Sequence, residues 1–206
     1  MSVLRSWRSS MRCGSSMEET MRLTVIDFET ANRFSQSACS IGIVVFEDGE
    51  LIHEALYLIK PHRHYRVFDP FNIAIHHITP EMVKNAPEFN EVLPFLIPWM
   101  DNTILAAHNA PFDVGVLRSL IALYRLDFPR IDVLDTVEVA RKCYPRLDNH
   151  KLHTVCTALE IPLDHHEALS DARGAAVLVL NAMSVVEVYD PVEFAMTLGV
   201  RLRPLY

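Results

Sequence analysis

The sequence predicts an α/β fold in which helices flank a central mixed sheet of five strands. Two observations lead to this prediction. Three apolar segments rich in β-forming residues come early in the chain and are joined by short turns, which only antiparallel neighbours permit. Apolar strand segments then alternate with helical ones, as in sheets that grow by parallel additions. We therefore expect three antiparallel strands followed by parallel strands.

The antiparallel strands are predicted over residues 23–28, 39–46 and 51–59, where apolar and β-branched residues dominate. The acidic sequence at 47–50 contains Asp-Gly and is a turn signal between the second and third strands. The segment 61–70 is basic, aromatic and bounded by prolines, so it is predicted to be a loop.

Cap residues and prolines mark the helices in the rest of the chain. Thr79 followed by Pro80 has the sequence of a helix N-terminus. Pro87 opens a longer amphipathic segment, which Pro94 and Pro98 are expected to bend or end. The helices are predicted over residues 79–83, 87–99, 111–124, 136–142, 151–159, 167–186 and 190–198, with strands at 103–107 and 131–134.

One domain accounts for most of the chain. A length of 206 residues, half of them hydrophobic, is sufficient for a single core. We expect the domain to span residues 21–188, followed by a short helix and tail over 189–206. Residues 1–20 hold arginines among serines but no continuous apolar segment, so we expect a disordered extension rather than a secretory signal.

Composition narrows the classes of function. A formal net charge of −7 argues against a broad basic surface for nucleic acid. It leaves room for an enzyme whose carboxylates bind divalent cations, because these would supply local positive charge. The four cysteines fit neither a zinc finger nor a secreted disulfide framework. No apolar run approaches the roughly 20 residues of a membrane helix. We expect no membrane span and a cytoplasmic location.

Two acids at the end of the first strand are candidate metal ligands. Asp27 and Glu29 are two residues apart, so the period of a strand points both carboxylates to the same face. Two like charges there would repel unless a cation lay between them, and Mg²⁺ or Mn²⁺ prefers oxygen ligands. Taken alone, the pair is weak evidence, because a solvated strand end explains D-x-E more often than a metal site does.

A second candidate group spans His108, Asn109 and Asp113, where a strand leads into a helix. An acid in the first turn is stabilised by the helix dipole, so capping alone could account for Asp113. Capping does not account for the polar His108 and Asn109 directly after an apolar strand. Polar groups at the carboxyl ends of sheet strands often face a ligand crevice.

The third group is His166 and Asp171 near the start of the last long helix. Five helical residues turn about 140° net, so these two side chains would not converge if both were helical. We therefore predict that His166 lies on the preceding loop and Asp171 one turn into the helix. The small residues Ala172, Gly174 and their neighbours Ala175 and Ala176 are expected to let this helix lie close to the sheet. The alternative is that His165 and His166 are surface loop residues.

The three motifs in this order, D-x-E, H-N-A-x-F-D and H-x-A-L-x-D-A, resemble those of the DEDDh 3′→5′ exonuclease superfamily, and above all its epsilon-like proofreading exonucleases of bacterial DNA polymerase III. The phrases at 40–42 and 78–83 strengthen the resemblance, which covers about residues 23–182. It implies an RNase H-like fold.

The resemblance also implies a mechanism with two Mg²⁺ or Mn²⁺ ions, one activating water and the other stabilising the leaving 3′ oxygen. Asp27 would bridge both ions, Asp171 would support the ion that carries water, and Asp113 the other. Glu29 would contact the first ion and orient the nucleophile or the terminal 3′-OH. His166 would be the general base, since the ordinary imidazole pKa is near 6.5.

Substrate contacts follow from the resemblance with less detail. The residues expected around the terminal nucleotide are Phe28, Thr30, Ile78, His108, Asn109 and Phe112, and core packing is the alternative for each. The chain departs from the common family pattern in two places: Thr30-Ala31-Asn32 replaces T-T-G, and His77 replaces a frequent glycine. Neither departure affects an expected metal ligand, but both bear on pocket shape.

We therefore expect a 3′→5′ exonuclease that releases nucleoside 5′-monophosphates from the 3′ end of single-stranded DNA or RNA. The alternatives are a proofreading subunit bound to a DNA polymerase and a non-catalytic nucleic-acid-binding module of the same fold. A haloacid-dehalogenase phosphatase would require D-x-D where this chain has Asp27 and Glu29. DNA or RNA preference, homodimer formation and polymerase association stay open.

Overall fold

The computed structural model describes residues 22–206, and the extension expected over residues 1–20 lies outside them. Its centre is a sheet with strand order β3-β2-β1-β4-β5-β6. The strands are β1 (Arg22–Thr30), β2 (Ala38–Glu47), β3 (Glu50–Leu58), β4 (Thr103–Ala107), β5 (Asp132–Asp135) and β6 (Arg203–Pro204).

The directions of the strands follow the sequence prediction. Strand β2 pairs antiparallel with β1 and β3, whereas β4 pairs parallel with β1 and β5 pairs parallel with β4. The expected number of five strands was one too few, because the two-residue β6 adds antiparallel to β5. A pair this short carries no periodic pattern, and it is held by Leu205, which is buried and donates its N–H to the Ile131 carbonyl at 2.9 Å.

Eight helices surround the sheet in the described residues: α1 (Pro70–His76), α2 (Pro80–Val83), α3 (Phe89–Leu96), α4 (Pro111–Tyr124), α5 (Thr136–Cys143), α6 (Leu152–Ala158), α7 (Ala168–Val186) and α8 (Pro191–Leu198). The prolines affect the third helix as expected. It continues through Pro94 and ends at Leu96, and Pro98 lies in the following 3₁₀ turn.

Helix α1 was not predicted from the sequence. Its start carries a recognisable signal, because Asp69 accepts a hydrogen bond from Phe71 N at 2.9 Å and Pro70 occupies the first helical position. The helix ends at His77, which adopts a left-handed conformation with φ of 60°. The Asp-Pro pair alone was the available indication.

Alternation along β1 assigns its side chains to two cores. Leu23 and Val25 pack in the cluster that contains α7, whereas Ile26 and Phe28 pack in the cluster that contains α3 and α4. Because side chains alternate, Asp27 and Glu29 lie on the α7 face. The hydrophobic pattern of this single strand thus decides which helix the two acids approach.

Gly42 on β2 allows α7 to lie against the sheet. A Cβ atom at this position would overlap the carbonyl group of Ala168 and the nitrogen of Leu169, at the start of α7. The expectation for the small residues of α7 needs one correction. Ala172, Ala175 and Ala176 are buried in the core, but Gly174 faces Leu163 and Cys156 instead of the sheet.

By length and composition, α7 could cross a membrane, which corrects the expectation that no segment comes close. In this fold it is a core helix. It packs on β1 and β2, and its apolar face is buried against the sheet, with Leu178 and Val179 inaccessible to solvent. Its first turn carries the buried Asp171.

Gly42→Ala should destabilise the protein by about 1–3 kcal/mol, the range for overpacking a dense interior. The new methyl group would force the start of α7 away from β2. Urea denaturation measures the loss, and Gly115→Ala in α4 is the matched control. A Cβ there meets nothing within 4 Å, so this variant should gain up to about 1 kcal/mol from helix propensity. Equal effects of both substitutions would contradict the packing explanation.

Candidate active site

Three carboxylates from two secondary-structure elements lie close together at the C-terminal end of the inner strand β1. Asp27 and Glu29 come from β1 and Asp171 from the first turn of α7, and a ligand oxygen of each lies within 4.8 Å of the others. Asp171 is only 4% exposed. The predicted convergence of the first and third motifs is therefore present in the structure.

The fourth acid, Asp113, reaches the same strand from the opposite face of the sheet. It lies in the first turn of α4, is 1% exposed, and its Oδ1 accepts the N–H of Phe28 at 2.9 Å. Phe28 is the residue between Asp27 and Glu29. Since the hydrogen bond leaves its own helix for β1, capping alone does not explain Asp113.

Burial and neighbouring negative charge raise the pKa values of Asp27, Glu29 and Asp113. Burial raises the pKa of Asp27 well above its ordinary value, and the charges of Asp113, Asp171 and Glu29 raise it further. Burial raises the pKa of Glu29 to about 8, with added repulsion from Asp171 and Asp113. Burial also raises the pKa of Asp113 to about 8, despite the lowering effect of the Phe28 hydrogen bond. A divalent cation would relieve this repulsion, and an all-oxygen donor set suits Mg²⁺ or Mn²⁺.

Two adjacent histidines lie next to Asp171. The backbone N–H of His166 donates to Asp171 Oδ2 at 3.0 Å, and His165 Nδ1 lies 3.1 Å from both carboxylate oxygens. The two imidazole rings stack with centroids 3.8 Å apart. Burial and then repulsion from His165 lower the pKa of His166, while Asp171 opposes this shift. His165 has no place in the motif, and only its position beside His166 could have suggested a role.

The loop position predicted for His166 agrees with the structure. His166 precedes α7 and has a φ of 70°, a left-handed conformation that few residues other than glycine adopt. Asp171 lies inside the first turn of the helix. The change of backbone conformation between them brings both groups to the same cavity, which two helical positions could not do.

A cavity of about 780 Å³ opens in front of these residues. Four of the six expected substrate contacts line it, namely Phe28, His108, Asn109 and Phe112. A second wall of the cavity was not predicted, because no motif marks it. It comes from α5 and the segment leading into α6, and it includes Val137, Arg141, Asn149, His150, Lys151, Leu152 and His153.

The other two expected contacts, Thr30 and Ile78, lie outside the lining of this cavity. The Thr30 carbonyl accepts hydrogen bonds from Asn72 Nδ2 at 2.8 Å and His76 Nε2 at 3.2 Å. Ile78 packs in a small core with Cys39 and others, and its N–H donates to His76 Nδ1 at 3.0 Å. Both residues connect the end of β1 to the α1 region.

Hydrogen bonds join the cavity wall to the sheet. His108 contacts Thr136 Oγ1 through Nδ1 at 2.8 Å and the His150 carbonyl through Nε2 at 2.9 Å. The Asn109 N–H donates to Asp135 at 3.2 Å, and Asn109 has a φ of 67°. His108 and Asn109 thus hold the loop after β4 against the end of β5 and the start of α5, and both residues also line the cavity.

Comparison with known proteins identifies the family. Residues 24–179 match the sequence profile of the RNase_T family, described as "Exonuclease". The chain belongs to this exonuclease family. This membership agrees with the family resemblance drawn from the sequence motifs that contain Asp27, Glu29, Asp113, His166 and Asp171.

Curated relatives are much longer proteins. The DNA polymerase III PolC-type of Oceanobacillus iheyensis is 35% identical over 160 residues, which cover 75% of this chain and 11% of that protein. The DNA polymerase III PolC-type of Bacillus subtilis is 32% identical over 170 residues, covering 81% of this chain and 12% of that protein. The chain therefore spans little more than a tenth of the length of these relatives.

Solved structures share the fold. Exonuclease X in complex with 5′ overhanging duplex DNA is 25% identical with a TM-score of 0.67, over 82% of this chain and 95% of that one. The nuclease domain of 3′hExo, a DEDDh family member bound to rAMP, is 18% identical with a TM-score of 0.72, over 90% of this chain and 98% of that one. The α/β, RNase H-like prediction is confirmed.

In metal-free protein, the acid cluster should make the free energy of unfolding fall as pH rises towards 8. The folded-state pKa values of Glu29 and Asp113 are raised to about 8 from ordinary values of 4.5 and 3.8. Between these limits the folded state keeps protons that the unfolded chain has released, so rising pH favours unfolding. Urea denaturation in EDTA at successive pH values measures the trend.

Glu29→Gln removes one of these titrating groups and should flatten that pH dependence. Asp127→Asn is the matched control, because Asp127 is exposed and lies outside the lining of the cavity. A pH profile that Glu29→Gln leaves unchanged would contradict the assignment of the raised pKa.

Proposed function

We propose that the chain is a metal-dependent 3′→5′ exonuclease that releases nucleoside 5′-monophosphates from single-stranded 3′ ends. The observation that carries this proposal is the convergence of Asp27, Glu29 and Asp171 within 4.8 Å, with Asp113 bonded to the same strand. The cluster opens onto a cavity that can admit the end of a nucleic-acid strand. Membership of the exonuclease family supports the reaction class.

Two Mg²⁺ or Mn²⁺ ions fit the donor set, because four carboxylates supply enough oxygen ligands and negative charge. Asp27, Glu29, Asp113 and Asp171 would hold them, with Asp27 shared. When bound, such ions lower the pKa of water and neutralise charge on the reacting phosphate. The pKa values of Asp27, Glu29 and Asp113 are raised when no bound ion is present to offset their negative charge.

His166 is the proposed general base. Its pKa is lowered, so the ring is neutral near physiological pH and an unprotonated nitrogen can accept the proton of the attacking water. The water oxygen forms the new bond to phosphorus as the bond to the 3′ oxygen breaks. The stacked ring of His165 and the hydrogen bond from His166 N to Asp171 keep the imidazole beside the acids.

The terminal nucleotide is proposed to lie against the aromatic residues of the cavity. Phe112 is 46% exposed and lines the cavity, which suits stacking with a base of any identity. Phe28 also lines the cavity, although its side chain is buried in the core beside α4, and Asn109 and His108 would offer polar groups to the sugar and base edges. Thr30 and Ile78 would act indirectly, through the end of β1.

DNA is the favoured substrate, because the curated relatives are named DNA polymerases. The same names support a second candidate function, proofreading as part of a DNA polymerase assembly. All four acids and His166 are present, so a non-catalytic binding module is disfavoured. We propose a cytoplasmic site of action, and homodimer formation remains a prediction.

Wild-type protein should shorten 3′- and 5′-labelled single-stranded oligonucleotides stepwise from the 3′ end with Mg²⁺ or Mn²⁺, and not with EDTA. Asp27→Ala and His166→Ala should each lower kcat by at least about 100-fold, the scale for loss of a general base or metal ligand. Gel electrophoresis of DNA and RNA oligonucleotides of the same sequence also measures the sugar preference.

Asp127→Ala and His64→Ala are matched controls, since both residues are exposed and lie outside the cavity lining. Both should retain wild-type rates. Release of internal fragments, or equal rates with EDTA and Mg²⁺, would contradict the proposal.

Proofreading makes a separate prediction. Within a polymerase assembly, the protein should remove a mismatched 3′ nucleotide faster than a paired one during primer extension, because a frayed end reaches the cavity as a single strand. Co-purification with a replicative polymerase subunit and a change of error frequency on Asp27→Ala would test it. Wild-type fidelity in the Asp27→Ala strain would exclude this role.

A further inference from the structure

One wall of the cavity, formed by α5 and the segment around the start of α6, carries two cations. Arg141 lies near the end of α5 and Lys151 directly precedes α6; both are exposed and both line the cavity. Across residues 22–206, neither forms an ion pair. The ion pairs there involve Arg22, Arg66, Lys84, His165, Arg173 and Arg203.

Hydrogen bonds hold this wall at a fixed position. Asn149 Oδ1 accepts from Lys151 N at 3.1 Å and from Thr154 Oγ1 at 2.8 Å. His150 Nε2 contacts the Tyr144 carbonyl at 3.1 Å, and the His150 carbonyl is 2.9 Å from His108 Nε2. The segment is therefore connected to the loop after β4, which leads to Asp113. These hydrogen bonds connect the backbone at Lys151 to the part of the chain that carries Asp113.

Charge balance within the protein does not account for Arg141 and Lys151. The acids of the cluster are buried or partly buried, and their described contacts are with Phe28 N, His165 and His166. The net charge of the chain is −7, so acidic partners are plentiful, yet neither Arg141 nor Lys151 forms an ion pair in residues 22–206. Because both side chains line a cavity, they are suited to bind an anion from outside the protein.

We propose that Arg141 and Lys151 bind backbone phosphates on the 5′ side of the terminal nucleotide. This inference rests on the proposed exonuclease function. The acid cluster and the metal ions that it would hold engage the scissile phosphate. The wall that carries Arg141 and Lys151 therefore binds the next phosphates along the strand, on the 5′ side of the scissile one. A cavity of about 780 Å³ lies in the upper part of the roughly 300–1,000 Å³ range of ligand pockets, which leaves room beyond one nucleotide. The strand passes between the acids and the α5–α6 segment.

A minimal substrate separates this role from catalysis. The p-nitrophenyl ester of thymidine 5′-monophosphate has a scissile phosphodiester and no phosphate beyond it. The double substitution Arg141→Ala with Lys151→Ala should lower kcat/KM on a single-stranded oligonucleotide at least about tenfold, since charge-assisted contacts to phosphate are lost. Hydrolysis of the ester should change less than about twofold. Lys142→Ala, next to Arg141 but outside the cavity lining, is the matched control.

Salt dependence provides a readout independent of cleavage. Each phosphate contact to a single strand contributes about 0.7 to the slope of log affinity against log salt concentration. The double variant should therefore reduce this slope by about 1.4, and Lys142→Ala should leave it unchanged. Fluorescence anisotropy of a labelled oligonucleotide, with Ca²⁺ replacing Mg²⁺ to prevent cleavage, measures it.

Three outcomes would overturn the inference: an unchanged salt slope, an unchanged kcat/KM on the oligonucleotide, or an equal loss on ester and oligonucleotide. The last would assign the residues to structure or catalysis. If wild-type protein cleaves neither substrate, the exonuclease proposal fails, and the salt slope still decides whether Arg141 and Lys151 contact phosphates.

Discussion

Repulsion among buried carboxylates is the constraint around which this molecule is organised. Asp27, Glu29, Asp113 and Asp171 are brought to one end of β1, where burial and mutual charge raise the pKa values of the first three. No fold gains stability from such an arrangement by itself. Bound divalent cations, as proposed, would relieve the repulsion; until they bind, hydrophobic packing elsewhere must hold the acids together.

The packing that opposes this repulsion is distributed over both faces of the sheet. Alternation along β1 directs two acids towards α7, and Gly42 permits the start of that helix to approach closely enough for Asp171 to join them. From the other face, Asp113 accepts the N–H of Phe28. The acids thus come from three secondary-structure elements that different contacts bring together, so the site is assembled only in the complete fold.

The cavity has two chemically different sides, and each is rigid for its own reason. The acid side is carried by β1 and the first turns of α4 and α7. The side formed by α5 and the segment before α6 is tied to the loop after β4 through His108, which contacts both Thr136 and His150. In the proposed function, a polyanionic strand placed between them would contact the acids and their bound metal ions as well as the cations Arg141 and Lys151.

The sequence by itself determined the directions of the main strands and the positions of most helices, because alternating and helical hydrophobic patterns are local and extend over many residues. It also indicated the acids and His166 as candidate site residues, since their motifs are specific in combination. Only the tertiary structure decided the rest. The two-residue β6 is too short to show a periodic pattern. The positions of Thr30 and Ile78 outside the cavity lining depend on contacts with α1. Contacts between residues distant in sequence bring Arg141 and Lys151 to the same cavity as the acids. Such contacts depend on how elements pack, and a local pattern of residues does not record them.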